Sequence, residues 1–184
     1  SGRQVATGYQ NATTLLLLDV TSGKYTNIPE NFSPDFIFFG DWLDDSNIIF
    51  PHRGQTSNTG MVVTKENIQN FTAEKVFDDK NFNWFGFVDL SPDNKYMVYS
   101  SGAGSTVTID LDLTVRDMAT GYSYLLSSLF PGVEIGKKKF IVEHKWLSDN
   151  TLLFSIYGSE IWRLDPATKQ TVRVLENAYL PKSF

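Results

Sequence analysis

A polar turn followed by an apolar strand recurs three times along the chain. The copies are Asp44-Asp45-Ser46-Asn47-Ile48-Ile49-Phe50, Asp93-Asn94-Lys95-Tyr96-Met97-Val98-Tyr99 and Ser148-Asp149-Asn150-Thr151-Leu152-Leu153-Phe154. Their closing aromatics lie 49 and 55 residues apart. A second phrase, an acidic turn after a strand, recurs out of phase with the first: Asp19-Val20-Thr21-Ser22-Gly23, Asp117-Met118-Ala119-Thr120-Gly121 and Asp165-Pro166-Ala167-Thr168-Lys169. Its spacings are 98 and 48 residues, so a weaker copy is expected between the first two. Interleaved phrases with a period of about 50 residues predict a β-propeller or a similar array of small sheets.

Apolar runs of strand length are bounded by clusters of Gly, Asn, Asp, Ser and Pro. No segment keeps an apolar stripe at helical spacing over three turns. Residues 62–76 come closest, but Thr64, Asn67, Asn70 and Thr72 break the stripe. The pattern therefore predicts an all-β fold, a β-propeller of four-stranded antiparallel blades with about three and a half blades present, partial or irregularly closed. With strands lettered A to D along each blade, residues 13–19 and 24–28 are C and D of a half-blade within residues 1–30. Blades follow at 31–78, 79–130 and 131–178, and the whole of 1–184 is one propeller domain or a fragment of one. Strands A and B are expected to be missing from the half-blade. An open sheet edge there predicts self-association.

Leu90-Ser91-Pro92-Asp93-Asn94-Lys95-Tyr96-Met97-Val98-Tyr99-Ser100 resembles the repeat of TolB-like (PD40-type) propellers, which read Ser-Pro-Asp-Gly-Lys, an apolar strand and a small polar residue. Asn94 stands at the turn glycine and also tolerates a left-handed backbone. Residues 146–155 look like a shortened copy, and 161–175 resemble the family's outer strand pair. Residues 42–50 are the most divergent copy. The resemblance implies a fold, and by analogy a binding or sensing role in an extracytoplasmic compartment with a protein or peptide partner. Similar blades occur in the propellers of prolyl-oligopeptidase-type serine peptidases. The alternative is therefore the propeller portion of such a peptidase, with its catalytic domain outside this chain.

Composition narrows the function. A net charge of −5 has the wrong sign for a nucleic-acid binder. The chain has no cysteine, which excludes disulfides and thiolate chemistry within it. The longest apolar run, Leu15–Leu18, is far too short to enter a bilayer as a helix. Asn11-Ala12-Thr13, Asn31-Phe32-Ser33 and Asn70-Phe71-Thr72 fit the N-glycosylation acceptor pattern. The 14 Phe, 8 Tyr and 4 Trp suit the pleated, stacked core of such a fold.

Catalytic machinery is not expected in this chain. There is no Gly-x-Ser-x-Gly elbow, and the two histidines, His52 and His144, fall in different blades. Gly102-Ala103-Gly104-Ser105 reads as a flexible B–C loop. Residues 107–116 alternate strictly, with Thr108, Asp110, Asp112, Thr114 and Arg116 on one side. That predicts a strand with one wet face. Asp110 and Asp112 are too few to hold calcium, so no metal and no cofactor is expected. Trp42 and Trp146 stand eight residues before Phe50 and Phe154 and read as packing between blades. The candidate binding residues are His52, Arg53, Phe82 and Trp84. In a propeller the B–C and D–A loops share one rim, and there an arginine fork with two aromatics suits a protein or peptide, or else a small ligand or glycan. Lys137-Lys138-Lys139 could steer an acidic partner, though a solvated loop is the ordinary reading.

Overall fold

A computed structural model describes residues 3–7, 15–19, 21–27, 40–53, 60–79, 88–105, 108–130, 144–156 and 160–176. The chain divides into two compact units, Ser1–Phe87 and Val88–Phe184. The first holds a three-stranded sheet, β1 (Arg3–Thr7), β2 (Leu15–Asp19) and β3 (Lys24–Asn27). Its second sheet is β4 (Asp41–Trp42), β5 (Asn47–Arg53), β6 (Met61–Asn67) and β7 (Thr72–Asp79). The second unit holds β8 (Val88–Leu90), β9 (Tyr96–Ser105), β10 (Thr108–Asp117) and β11 (Ser123–Leu125). It then adds β12 (His144–Trp146), β13 (Leu152–Ile156), β14 (Glu160–Asp165) and β15 (Gln170–Glu176). Every sheet is an antiparallel meander in chain order, the build of a propeller blade.

The two repeated phrases prove to be the two kinds of turn in each blade. In the A–B turns, Leu43 N–H donates to Asn47 O (2.9 Å), Ser91 N–H to Tyr96 O (2.9 Å) and Leu147 N–H to Thr151 O (2.8 Å). Trp42, Leu90 and Trp146 consequently pair with Ile48, Met97 and Leu152, the same rung in three sheets. Asn94 and Asn150 take φ of 58° and 64°, as the asparagine at the turn predicts.

The C–D turns fold around one side-chain acceptor. Asp117 Oδ1 accepts from Ala119 N–H and Thr120 N–H, both at 2.9 Å. Asp19 and Asp165 do the same two and three residues on. The expected missing copy is Asn67, whose Oδ1 accepts from Gln69 N–H (3.0 Å) and Asn70 N–H (3.1 Å). An asparagine amide oxygen closes this turn as a carboxylate does, so the acidic pattern concealed it. The fifth residue is left-handed in all four: Gly23 (67°), Phe71 (55°), Gly121 (74°) and Lys169 (59°).

Consecutive B-strand residues are buried: Ile48, Ile49 and Phe50; Met97, Val98 and Tyr99; Phe154, Ser155 and Ile156. Neighbours on a strand point to opposite faces, so both faces of these sheets are covered.

Three expectations need correction. Residues 3–7 add a third strand to the N-terminal sheet, where only C and D were expected. Arg3–Thr7 has little apolar signal of its own and pairs with the Leu15–Asp19 strand, register Arg3↔Asp19 to Thr7↔Leu15. Gly102–Ser105 is not a loop but the end of β9, laddered to β10 through Gly102↔Leu111 and Gly104↔Ile109. The wet face of residues 107–116 is absent at its centre: Asp112 is 7% and Thr114 2% exposed. After β11 the chain turns into a 3-10 segment, Leu126–Leu129, whose Ser127 N–H reaches Asp112 Oδ1 at 3.4 Å.

Candidate functional site

Of the four predicted binding residues, His52 and Arg53 fall at one end of the β4–β7 sheet. His52 and Arg53 close β5, opposite Val62 and Met61, and Met61 in turn faces Asp79, the last residue of β7. Arg53, Met61 and Asp79 therefore form one terminal rung. The B–C loop and the D–A connection leave the sheet from that same end. The side chains of His52 and Arg53 lie outside the described residues, as do Phe82, Trp84 and Lys137-Lys138-Lys139.

The second unit shows a polar tie between its two sheets that sequence reasoning missed. His144 Nε2 lies 3.1 Å from Asp89 Oδ2, and Trp146 Nε1–H donates to Asp89 O at 3.3 Å. Asp89 belongs to β8 and the other two to β12, both first strands of their sheets. His144 and Trp146 stand two apart on one strand and so face the same way. The His144 side chain is 13% exposed and that of Asp89 is 36%, so the tie is shielded on the histidine side and open to water on the carboxylate side. Asp93 N–H donates to Asn150 Oδ1 (3.0 Å), joining the neighbouring A–B turns. Phe130 packs edge-on against Phe154 and Trp162, at 6.0 and 4.9 Å between ring centres. The inter-blade reading of Trp146 is thus realised in a named contact, and Trp42 is half-buried. The missed signal was Asp89 beside the turn of the best-formed copy, one blade ahead of a histidine at the matching A strand.

Asp112 is the other unusual group. Its Oδ1 accepts from Leu113 N–H (2.7 Å) and Ser127 N–H (3.4 Å), while Oδ2 is buried with no partner among the described residues. Burial pushes its carboxyl up, and the hydrogen bonds from Ser127 and Leu113 offset this only in part. The turn carboxylates behave oppositely. Hydrogen bonds hold Asp117 down, chiefly from Thr120 N–H, and Asp149 down, chiefly from the Thr151 hydroxyl. Asp112 and Asp110 were the weighed calcium pair. Among the described residues no cluster of three or more His, Asp or Glu could hold a metal ion.

No protein-family model matches the chain, and no curated protein does either. Solved structures do. Tricorn protease superimposes with a TM-score of 0.60 at 15% identity, over 91% of this chain and 15% of its own length. Oligogalacturonate lyase in complex with manganese gives 0.59 at 12%, over 90% of this chain and 46% of the lyase. Acylaminoacyl peptidase in complex with a chloromethyl ketone gives 0.57 at 11%, over 89% and 28%. The chain thus spans less than half the length of each. At these identities the likeness is one of fold, and with the four-stranded meanders it makes the chain a set of β-propeller blades.

Proposed function

We propose that this chain is a recognition module without catalytic machinery of its own, binding a protein or peptide through the rim that carries His52, Arg53, Phe82 and Trp84. The observation that supports this is the terminal rung Arg53–Met61–Asp79, which starts both rim segments from one end of the sheet. An arginine there presents a planar fork to a carboxylate, and two aromatics, three and five residues after Asp79, supply apolar area. We place the module outside the cytoplasm, on the TolB-like wording of residues 90–100.

A second reading is favoured by the likeness to tricorn protease and acylaminoacyl peptidase, of which the chain matches 15% and 28%. On that reading it is the propeller part of a longer peptidase, and the rim admits or positions substrate. Both readings assign this chain binding and not bond cleavage.

The test is capture of partners from an extracytoplasmic fraction by the wild-type chain, followed by Arg53→Ala and Trp84→Ala. We expect each folded variant to lose about tenfold or more in affinity. Undiminished binding by both would remove the rim assignment. Peptidase activity in the full-length product, absent from the isolated chain, would select the second reading. Hydrolysis by the isolated chain would overturn both.

A further inference from the structure

The second unit holds a different arrangement at a C–D turn. Lys169, in the C–D turn between β14 and β15, extends to the neighbouring sheet. Its Nζ donates to the Tyr122 hydroxyl at 3.1 Å, and sits 4.3 Å from the centre of the Tyr122 ring and 5.2 Å from that of Tyr124. The two rings are 6.2 Å apart and inclined by 34°. One cation therefore lies against two aromatic faces, the geometry in which ring quadrupoles attract positive charge.

Two features set this contact apart from an ordinary turn. Lys169 occupies the left-handed position filled by Gly23 and Gly121 in two sister turns, at φ 59°. A side chain there costs roughly 1–2 kcal/mol over glycine, and the turn itself has no use for a lysine. Two of the four copies hold a side chain there, Phe71 at φ 55° and Lys169, and at Lys169 that side chain makes the ring contact described above. The contact is also open to water: Tyr122 is 53% exposed and Lys169 is exposed. Tyr124 is anchored in β11 opposite Val115, with its hydroxyl buried and unpartnered among the described residues. The Tyr124 ring is therefore positioned by its own strand and not by Lys169.

We propose that Tyr122 and Tyr124 form a binding face for a quaternary-ammonium group, with Lys169 as its tethered, displaceable occupant. A primary ammonium is strongly hydrated and loses that hydration against a ring. A trimethylammonium group carries the same charge on a larger, weakly hydrated surface, and so suits the face better. Tethering gives Lys169 a high effective concentration, which masks the face in the resting protein. The chemistry is shared by a choline-type headgroup and a trimethylated lysine in a peptide.

The experiment is an NMR titration of the whole chain with free choline and, separately, with a trimethyllysine peptide. Lys169→Gly is the unmasking variant, because the left-handed backbone favours glycine there. We expect Lys169→Gly to bind at least one probe about tenfold more tightly than wild type, with shifts at Tyr122 and Tyr124. Adding Tyr122→Ala should abolish the gain and adding Tyr122→Phe should keep it, which separates the ring from the hydroxyl. Binding of choline alone indicates a headgroup ligand; tighter binding of the peptide indicates a modified protein. Equal affinity in wild type and Lys169→Gly, no shifts with either probe, or survival of binding in the folded Lys169→Gly/Tyr122→Ala variant would each overturn the proposal.

Discussion

At the scale of single residues, the C–D turns are held by one acceptor and one left-handed residue. Asn67 carries three contacts: two turn N–H groups and its own Nδ2 to Asn47 Oδ1 at 3.3 Å. Asn67→Ala should cost about 1–2 kcal/mol, read from denaturant midpoints, since each hydrogen bond contributes roughly 1 kcal/mol net and some are replaced by water. A change smaller than about 0.3 kcal/mol would show that the turn holds without it. Asp112 offers a test in pH. Its folded-state carboxyl titrates above the unfolded one, so the folded state binds the extra proton between the two values. Stability from this group is greatest below the unfolded pKa and falls as pH rises through that window. The lowered turn carboxylates act in the opposite sense, adding stability above their unfolded values that is lost as pH falls through the folded ones. Asp112→Asn should therefore raise the Tm at pH 7 and lose its advantage in acid. An equal change at both pH values would show that Asp112 is not the titrating group. Asp112 was read from its alternation as solvated, and its burial was not legible. Alternation reports two chemically different faces but not whether the polar one is covered, and here Ser127 and the buried Thr114 accompany it.

At the scale of elements, the strands were the most legible part, because apolar runs between turn residues state both the length and the period of a strand. The Leu152–Ile156 strand is buried along one face by Leu152, Phe154 and Ile156. Leu152→Ala should destabilise by about 2–5 kcal/mol, the cost of lost transfer energy plus the cavity it leaves. Retention of wild-type stability would mean that this strand is not core. The tie between β8 and β12 is weaker and more specific. Trp146→Phe keeps most of the ring area and removes the Nε1–H donor to Asp89 O. Roughly 1 kcal/mol should be lost, with the His144–Asp89 contact retained. Fluorescence-monitored unfolding alongside the histidine NMR signal would check both halves of that statement. Gly40 marks a close approach between strands, since a Cβ there would run into the Ile49 carbonyl oxygen and come within 2.7 Å of Phe50 Cδ2. The glycine is thus set by packing, which no local pattern announces.

At the scale of the whole molecule, the sheet edges of the N-terminal three-stranded sheet predict association. Among the described residues, adding β1 to β2 moves the edge of that sheet outward and does not pair it with a further strand. We expect sedimentation of the isolated chain to show concentration-dependent species, and a strictly monomeric particle at all concentrations would contradict this. What the sequence by itself determined is the repeated unit. The turn phrases, their period of about 50 residues and the strand lengths follow from local rules, because turn chemistry and side-chain alternation act over a few residues. Even the concealed turn at Asn67 was announced by its spacing. The candidate rim came only half from sequence: the loops were named, but the common rung Arg53–Met61–Asp79 depends on register, which hydrogen bonding across strands decides. The Asp89–His144–Trp146 tie, the burial of Asp112 and the placing of Lys169 on Tyr122 and Tyr124 join residues about 15 to 57 positions apart. Only tertiary structure could decide them. Contacts between successive blades depend on how one sheet's face meets the next, and a linear pattern carries no term for that meeting.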